Sequence, residues 1–467
     1  MVPVQNLETR ESLSASAPAD QVDQRSPNQQ IIPLTALTSE QGLLSVGGCD
    51  VAALVKQFGS PLYIVDEQTV RVACQQYRQS FETFYPGESQ VLYASKAWSC
   101  LAVCALVASE GIGIDVVSGG ELYTALQAGV DPAKLYLHGN NKSWEELELA
   151  ISSHSTIIAD NWLELDWIVE LTERLAPANS PRVMFRMTPG IECHTHEYIQ
   201  TGHLDSKFGF DPGQFDDLLT FAQKHSEITW VGLHAHIGSQ IFELQPHEDL
   251  TSVLVGWLAQ AQQAGLPMQE LNVGGGLGMR YVESDDPPSI ADWSKVICDG
   301  IAKACDAKKL VYPKLLCEPG RSLIGPACLT AYTVGSQKTV PGVRTYLSVD
   351  GGMSDNPRPI TYQSVYSTVI ANRMTEPASE IVTIAGKHCE SGDILLKDVS
   401  LPPSKPGDIL VILGTGAYNY SMASNYNRLP RPAAVLVYQG EANIIVQRET
   451  FQDLIRHDCL PSRLQSA

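Results

Sequence analysis

Lys96 closes an apolar run, Val91-Leu92-Tyr93-Ala94-Ser95, and is followed at once by the helix-forming stretch Ala97-Trp98-Ser99-Cys100-Leu101-Ala102-Val103. It therefore stands where a strand gives way to a helix, the place where parallel α/β folds gather ligands and catalytic groups. An amine on a short tether between apolar walls can condense with a carbonyl compound as a Schiff base. Other reactive groups stand at comparable junctions. Asp115 falls at the end of the run 112–117, and Gly119-Gly120 precedes a helix. His234 and His236 are spaced two apart on the run 230–237 and so share a strand face. That spacing suits a metal, but no third ligand accompanies it in the sequence. His236, just before Gly238-Ser239, suits stacking on a flat ring. Gly274-Gly275-Gly276 follows the run 270–273 and lets backbone N–H groups approach a phosphate closely. Cys317-Glu318-Pro319-Gly320-Arg321 ends the run 314–317 with a carboxylate and a guanidinium.

The elements that must position these groups follow from periodicity. Strand-like runs at 91–95, 112–117, 134–138, 156–159, 182–187, 230–237, 270–273 and 314–317 alternate with helical patterns at 97–110, 121–128, 144–151, 162–175, 214–225, 247–264 and 290–307. Strands alternating with helices at this spacing imply parallel pairing through right-handed crossovers, and eight such units predict a (β/α)8 barrel over residues 66–325. Beyond Arg321 short alternating runs at 330–334, 345–349, 380–385, 409–413, 434–438 and 443–446 are punctuated by Gly, Pro and Asp-Gly. They predict a second, mainly antiparallel β domain formed by 326–467 together with 36–65, which contains the strand candidate Pro61-Leu62-Tyr63-Ile64-Val65.

Composition narrows the class. The chain has 467 residues, 44% hydrophobic, enough for a large core, and a net charge of -20 with no basic cluster. Nucleic acid and anionic membrane surfaces are poor partners for such a surface. No run approaches the length of a membrane span. Eleven cysteines without CxxC pairs make a poor disulfide framework and fit a reducing cytoplasm. Residues 1–35 are polar and lack the apolar core of a signal peptide, while Glu8, Glu11, Asp20 and Asp23 argue against a transit peptide. They read as a disordered extension whose removal, over 1–32, leaves activity intact.

A Schiff-base lysine, a stacking histidine, a glycine cradle and a carboxylate at one rim describe a site for pyridoxal 5'-phosphate. The chain resembles the fold-type III pyridoxal-phosphate-dependent decarboxylases over residues 36–460, through Tyr93-Ala94-Ser95-Lys96-Ala97, Asp115-Val116-Val117-Ser118-Gly119-Gly120, His138-Gly139-Asn140-Asn141-Lys142-Ser143, His236-Ile237-Gly238-Ser239-Gln240, Gly274-Gly275-Gly276 and Glu318-Pro319-Gly320-Arg321. Among them the branch acting on meso-diaminopimelate is the nearest match. The resemblance implies the two-domain fold shared with alanine racemase. It implies that Lys96 holds the cofactor aldehyde and that Glu318 faces the ring nitrogen, where a racemase keeps an arginine. It implies that His236 stacks on the ring. Asp115, Ser239, Gly275, Gly276, Pro319, Gly320, Arg321 and Tyr418 complete the implied cofactor contacts.

A homodimer with shared sites is also implied, the β domain of one subunit completing the other's site through the motifs that carry Arg358 and Tyr362, Cys389 and Glu390, and Tyr418. Cys389 would return a proton to the α-carbon, with Lys96 as the competing donor. A substrate with a zwitterionic far end needs both a cation and an anion, because an unpaired buried charge is costly. Arg321, Arg358 and Tyr362 suit a distal carboxylate and Glu390 a distal ammonium, with Tyr418 beside them. These favour meso-diaminopimelate, yielding L-lysine and carbon dioxide. The alternatives are decarboxylation of ornithine, arginine or carboxynorspermidine, and a non-catalytic regulatory relative.

Overall fold

The computed structural model describes residues 25–191 and 206–465. Eight parallel strands close a barrel in chain order: β1 (Ser89–Ala94), β2 (Gly113–Val116), β3 (Leu135–Leu137), β4 (Thr156–Ala159), β5 (Arg182–Arg186), β6 (Thr229–His234), β7 (Glu270–Asn272) and β8 (Lys314–Cys317). Closure is by β8 against β1, with Cys317 opposite Val91. All eight strand-like runs of the sequence are barrel strands. They are apolar on both faces because helices cover the outside while Leu92, Tyr136, Ile158, Met184, Val231 and Leu316 fill the inside. Each of those side chains contributes roughly 1.5–3 kcal/mol by leaving water.

The first barrel helix starts later than its pattern suggests. Ser95–Ala97 forms a single tight turn, Trp98 and Cys100 are extended, and the helix runs Leu101–Ser109. The Tyr93 hydroxyl explains the break: it donates to the Trp98 carbonyl at 3.0 Å and accepts the Trp98 N–H at 3.1 Å. Lys96 is thereby held on a short turn at the barrel mouth and not on a regular helix.

The second sheet has nine strands. Ile394–Leu401, Glu380–Ala385, Arg344–Val349, Cys328–Val340, Leu62–Asp66, Ala433–Tyr438 and Glu441–Val446 lie side by side, while Thr368–Ile370 and Ile409–Leu413 pair beside them. Leu62–Asp66 thus sits between Cys328–Val340, antiparallel, and Ala433–Tyr438, parallel. Thr368–Ile370 and Ile394–Leu401 escape the sequence pattern. The second is interrupted by Lys397 and Asp398, and Asp398 takes a left-handed backbone (φ 54°) where the pairing register shifts.

The disordered extension expected over residues 1–35 falls in part on described residues that are ordered. Residues 1–24 lie outside the described residues, but Ser26, Pro27 and Asn28 are buried and Pro27–Gln29 forms a short helical turn on the barrel. Polar composition misled here because these side chains are buried by hydrogen bonding to backbone.

Candidate active site

The barrel strands deliver their polar ends to one cavity of about 560 Å3, which is lined by Lys96, Asp115, His236, Ser239, Gly275, Gly276, Glu318, Gly320 and Arg321, with Arg358, Tyr362 and Tyr418 from the β domain. A volume of that order suits a small ligand. Pro319 stays outside the lining but fixes the rim, its carbonyl accepting the Ala94 N–H at 3.0 Å.

Glu318 is the anchor of the deep end. Oε1 accepts from Asn272 Nδ2 at 2.6 Å and lies 2.8 Å from His138 Nε2, while Oε2 lies 3.2 Å from His234 Nε2. Burial alone would push this carboxyl up, but the two histidines outweigh it and hold it well below the usual range. His234 is itself pushed down to about 4, by burial above all, so near neutral pH it serves Glu318 as an uncharged donor. Glu318 is therefore a buried, ionised carboxylate with three partners. His138, His234 and Glu318 bring ligand atoms within 4.8 Å of one another, a set that could also hold a metal ion.

Lys96 projects into the cavity, where solvent reaches it. Burial would lower its ammonium, yet Asp115, then Tyr418 and Glu318, raise it overall. Asp115 lies 3.7 Å from His138 and is pushed up by burial, with His138 opposing. His236 is held neutral by burial and by Lys96 and Arg186, and its Nδ1 accepts the Gly275 N–H at 3.2 Å. A neutral imidazole tied to the glycine loop presents a fixed flat face.

At the other end the glycine loop leaves no room for side chains. A Cβ on Gly274 would meet His236 Nδ1 at 2.7 Å, and one on Gly275 would meet the Glu318 carbonyl at 2.3 Å. Arg321 donates to Ser239 Oγ (3.0 Å from Nη2) and to the Tyr281 hydroxyl (2.8 Å from Nη1), and its guanidinium lies 4.8 Å from the Tyr418 ring centre. Arg358 lies 5.0 Å from the Tyr362 ring and 5.7 Å from the Tyr418 ring, with Nη2 on Ser364 Oγ at 3.2 Å and a buried Nε that has no hydrogen-bond partner among the described residues. Among the described residues neither arginine pairs with a carboxylate. Two cations without counter-ions beside a backbone cradle are arranged for anions.

Cys389 and Glu390 stand apart from this cavity. Both are exposed, with the Cys389 N–H donating to Asn427 Oδ1 at 2.8 Å. The expectation that all the β-domain motifs serve a second subunit needs correcting: Arg358, Tyr362 and Tyr418 line the cavity of their own chain. The short helix Arg358–Tyr362 and the loop bearing Tyr418 fold back onto the barrel mouth, and the loop bearing Cys389 does not.

The residues present fit pyridoxal 5'-phosphate: an amine, a buried ionised carboxylate, a neutral imidazole and a side-chain-free glycine cradle line one cavity with Arg321. The family described as pyridoxal-dependent decarboxylase, pyridoxal binding domain, matches residues 67–325. The chain is 63% identical over 450 residues to the diaminopimelate decarboxylase of Synechocystis sp., covering 94% of this chain and 95% of the relative. It is 43% identical over 431 residues to that of Bacillus subtilis, covering 91% and 97%. The chain belongs to the diaminopimelate decarboxylase family. A solved diaminopimelate decarboxylase from M. jannaschii, in co-complex with L-lysine, superposes with a TM-score of 0.87 at 33% identity, covering 94% of this chain and all of that one (100%).

Within this family fold the groups that sequence reasoning missed are those supporting others. His138 and His234 were visible at strand ends, but nothing in the sequence ties them, or Asn272, to Glu318. Tyr281, which holds Arg321, carries no local signal at all. Lys142, buried in a 2.8 Å pair with Glu164, anchors the turn after β3 through the Gly139 and Ile158 carbonyls.

Proposed function

We propose that this protein decarboxylates meso-diaminopimelate to L-lysine and carbon dioxide with pyridoxal 5'-phosphate as cofactor. The observation that carries this reading is Arg358, a buried guanidinium in the same cavity as Lys96 that pairs with no carboxylate among the described residues. Ornithine and arginine have no second carboxylate to offer it.

The cofactor supplies an aldehyde for an amine to hold and a ring that accepts the electron pair released with carbon dioxide. Lys96 is the amine that would hold it. Glu318, ionised and gripped by Asn272, His138 and His234, keeps a proton on the basic nitrogen set against it. His236, which lines the cavity and is held neutral, would offer the ring an uncharged imidazole. Gly275, Gly276, Ser239, Arg321 and Tyr418 would hold the phosphate, with Asp115 also lining the cavity near Lys96. Arg321, Arg358 and Tyr362 take the distal carboxylate, orienting the far end of the substrate.

The protein works as a homodimer in which Cys389 and Glu390 of a second copy reach the cavity. Exposure of both on their own subunit supports that arrangement. Glu390 pairs with the distal ammonium, and the Cys389 thiol returns a proton to the α-carbon. Ten described cysteines are all free, which suits a cytoplasmic enzyme. No helix among the described residues is long and apolar enough to cross a membrane.

Carbon dioxide release from meso-diaminopimelate, ornithine and arginine, measured with protein saturated in cofactor, tests the reading. Release from diaminopimelate with lysine accumulating is the expected result. A preference for either other substrate would overturn the role of Arg358, and silence on all three would favour a regulatory relative.

A further inference from the structure

Asn28 lies 250 residues from Gly278 in sequence and directly against it in space. Its side-chain amide donates to the Gly278 carbonyl at 3.0 Å and to the Pro288 carbonyl at 2.9 Å, and its own backbone carbonyl accepts the Arg280 N–H at 2.8 Å. Ser26 Oγ donates to Asn28 Oδ1 at 2.7 Å and accepts the Ile290 N–H at 3.0 Å. Between the two points that Asn28 grips, Gln240 takes both backbone groups of Met279, at 3.1 and 2.8 Å. Asn28 and Gln240 thus satisfy backbone groups at each of residues 278, 279 and 280.

The gripped segment joins the two halves of the phosphate end. Gly276 lies just before it, and its carbonyl accepts the Ile241 N–H at 3.0 Å. Tyr281 lies just after it, with its hydroxyl on Arg321 Nη1 at 2.8 Å. Ser239, next to Gln240 in sequence, holds the same guanidinium. A shift of 278–280 would displace the cradle and the arginine together.

We infer that Asn28 is a positioning residue for the phosphate end of the cavity, and that residues 26–29 act as a strap setting how tightly the phosphorylated cofactor is held. The inference rests on the reading of that end as the phosphate site. Asn28 touches no ligand itself; it acts through Gly278 and Arg280. Because Asn28 is fully buried, losing its donors leaves two carbonyls unsatisfied where water cannot replace them.

The test is a titration of full-length apoprotein with pyridoxal 5'-phosphate, followed by absorbance, together with melting temperatures in the absence and presence of the cofactor. Asn28→Asp keeps the shape and replaces the donors by an acceptor facing two carbonyls. The expected result is a rise of about tenfold or more in the cofactor dissociation constant. Stabilisation on adding cofactor should shrink accordingly, since ligand stabilisation scales with the logarithm of concentration over dissociation constant. Activity lost at low cofactor should return as its concentration rises. A purely structural residue would lower the melting of apo and loaded protein equally and leave the dissociation constant alone; that result would overturn the inference. Should Asn28→Asp not fold, Ser26→Ala decides in its place, with an expected rise of about threefold and an unchanged constant as the overturning result. Wild-type protein that failed to bind the cofactor would instead overturn the phosphate reading itself.

Discussion

The backbone carbonyl of Ala97 accepts the N–H of Tyr418 at 2.9 Å, and Ser421 Oγ reaches the same oxygen at 3.1 Å. The turn that carries Lys96 is therefore fixed from the β domain as well as from its own strand. Trp98 stacks on Tyr420 at 5.2 Å, and Tyr63 meets both rings edge-on. Tyr418, left-handed at φ 62°, turns its ring beneath Arg321 and Arg358. One loop of the second domain thus sets the lysine and the two cations relative to each other.

Glu318→Gln keeps the shape of the anchor and removes its charge. Turnover should fall by about 10^2 to 10^3, the scale of losing one preorganised electrostatic contact, with KM changed far less. Steady-state carbon dioxide release measures both. Equal loss in KM would mean that Glu318 binds and does not assist the chemistry.

Arg358→Met removes the guanidinium, which pairs with no carboxylate among the described residues, but keeps much of its apolar stem. kcat/KM for meso-diaminopimelate should fall by roughly 10^2 or more, as expected when a buried carboxylate loses its charged partner. The deficit should be small for a substrate without a distal carboxylate, so ornithine measured alongside is the control.

Cys389→Ala tests the proton donor. Turnover should drop by about 10^2 to 10^4. Borohydride reduction should still fix the cofactor on Lys96, because that bond needs only the Lys96 amine and the cavity of its own chain. Undiminished turnover would transfer the proton-donor role to Lys96.

His247 gives a pH signature. It is buried behind Gly276, edge-on to Trp293 at 5.5 Å, with neither ring nitrogen bonded among the described residues, and burial pushes its pKa down to about 3. The unfolded chain binds this proton near pH 6.5 and the folded protein does not. Its contribution to stability is therefore complete above about pH 6.5 and lost progressively as pH falls towards 3. His247→Phe should narrow the gap in melting temperature between pH 7.5 and pH 5. An unchanged gap would show that His247 takes up its proton in the folded state.

How much of this was legible depends on the range of the interaction. All eight barrel strands could be read because a strand buried on both faces must be apolar along its length, as Val91-Leu92-Tyr93 and Ile157-Ile158-Ala159 are. The rim residues could be read because strand ends mark them. What could not be read were contacts between distant segments: His138 and His234 converging on Glu318, Tyr281 under Arg321, Asn28 on Gly278. Those depend on how strands far apart in the chain come together, which no local period encodes. The tail was misread in part for the same reason, since Ser26 and Asn28 look like solvated residues until their backbone partners are known. Arg358 and Cys389 group in the sequence as motifs of one domain, yet Arg358 lines the cavity of its own chain while Cys389 is exposed outside it.

The position of Leu62–Asp66 in the second sheet has a consequence for synthesis. This strand emerges from the ribosome before any of the barrel, yet its neighbours are Cys328–Val340 and Ala433–Tyr438. Throughout translation of the barrel, Leu62-Tyr63-Ile64-Val65 is an apolar strand with both edges open, the kind of segment that pairs wrongly with other chains. The barrel can close as soon as its eighth strand is made, whereas the sheet must wait for almost the whole chain. Nascent chains stalled between residues 340 and 433 would carry a finished barrel and a half-paired strand, the species on which a chaperone would act.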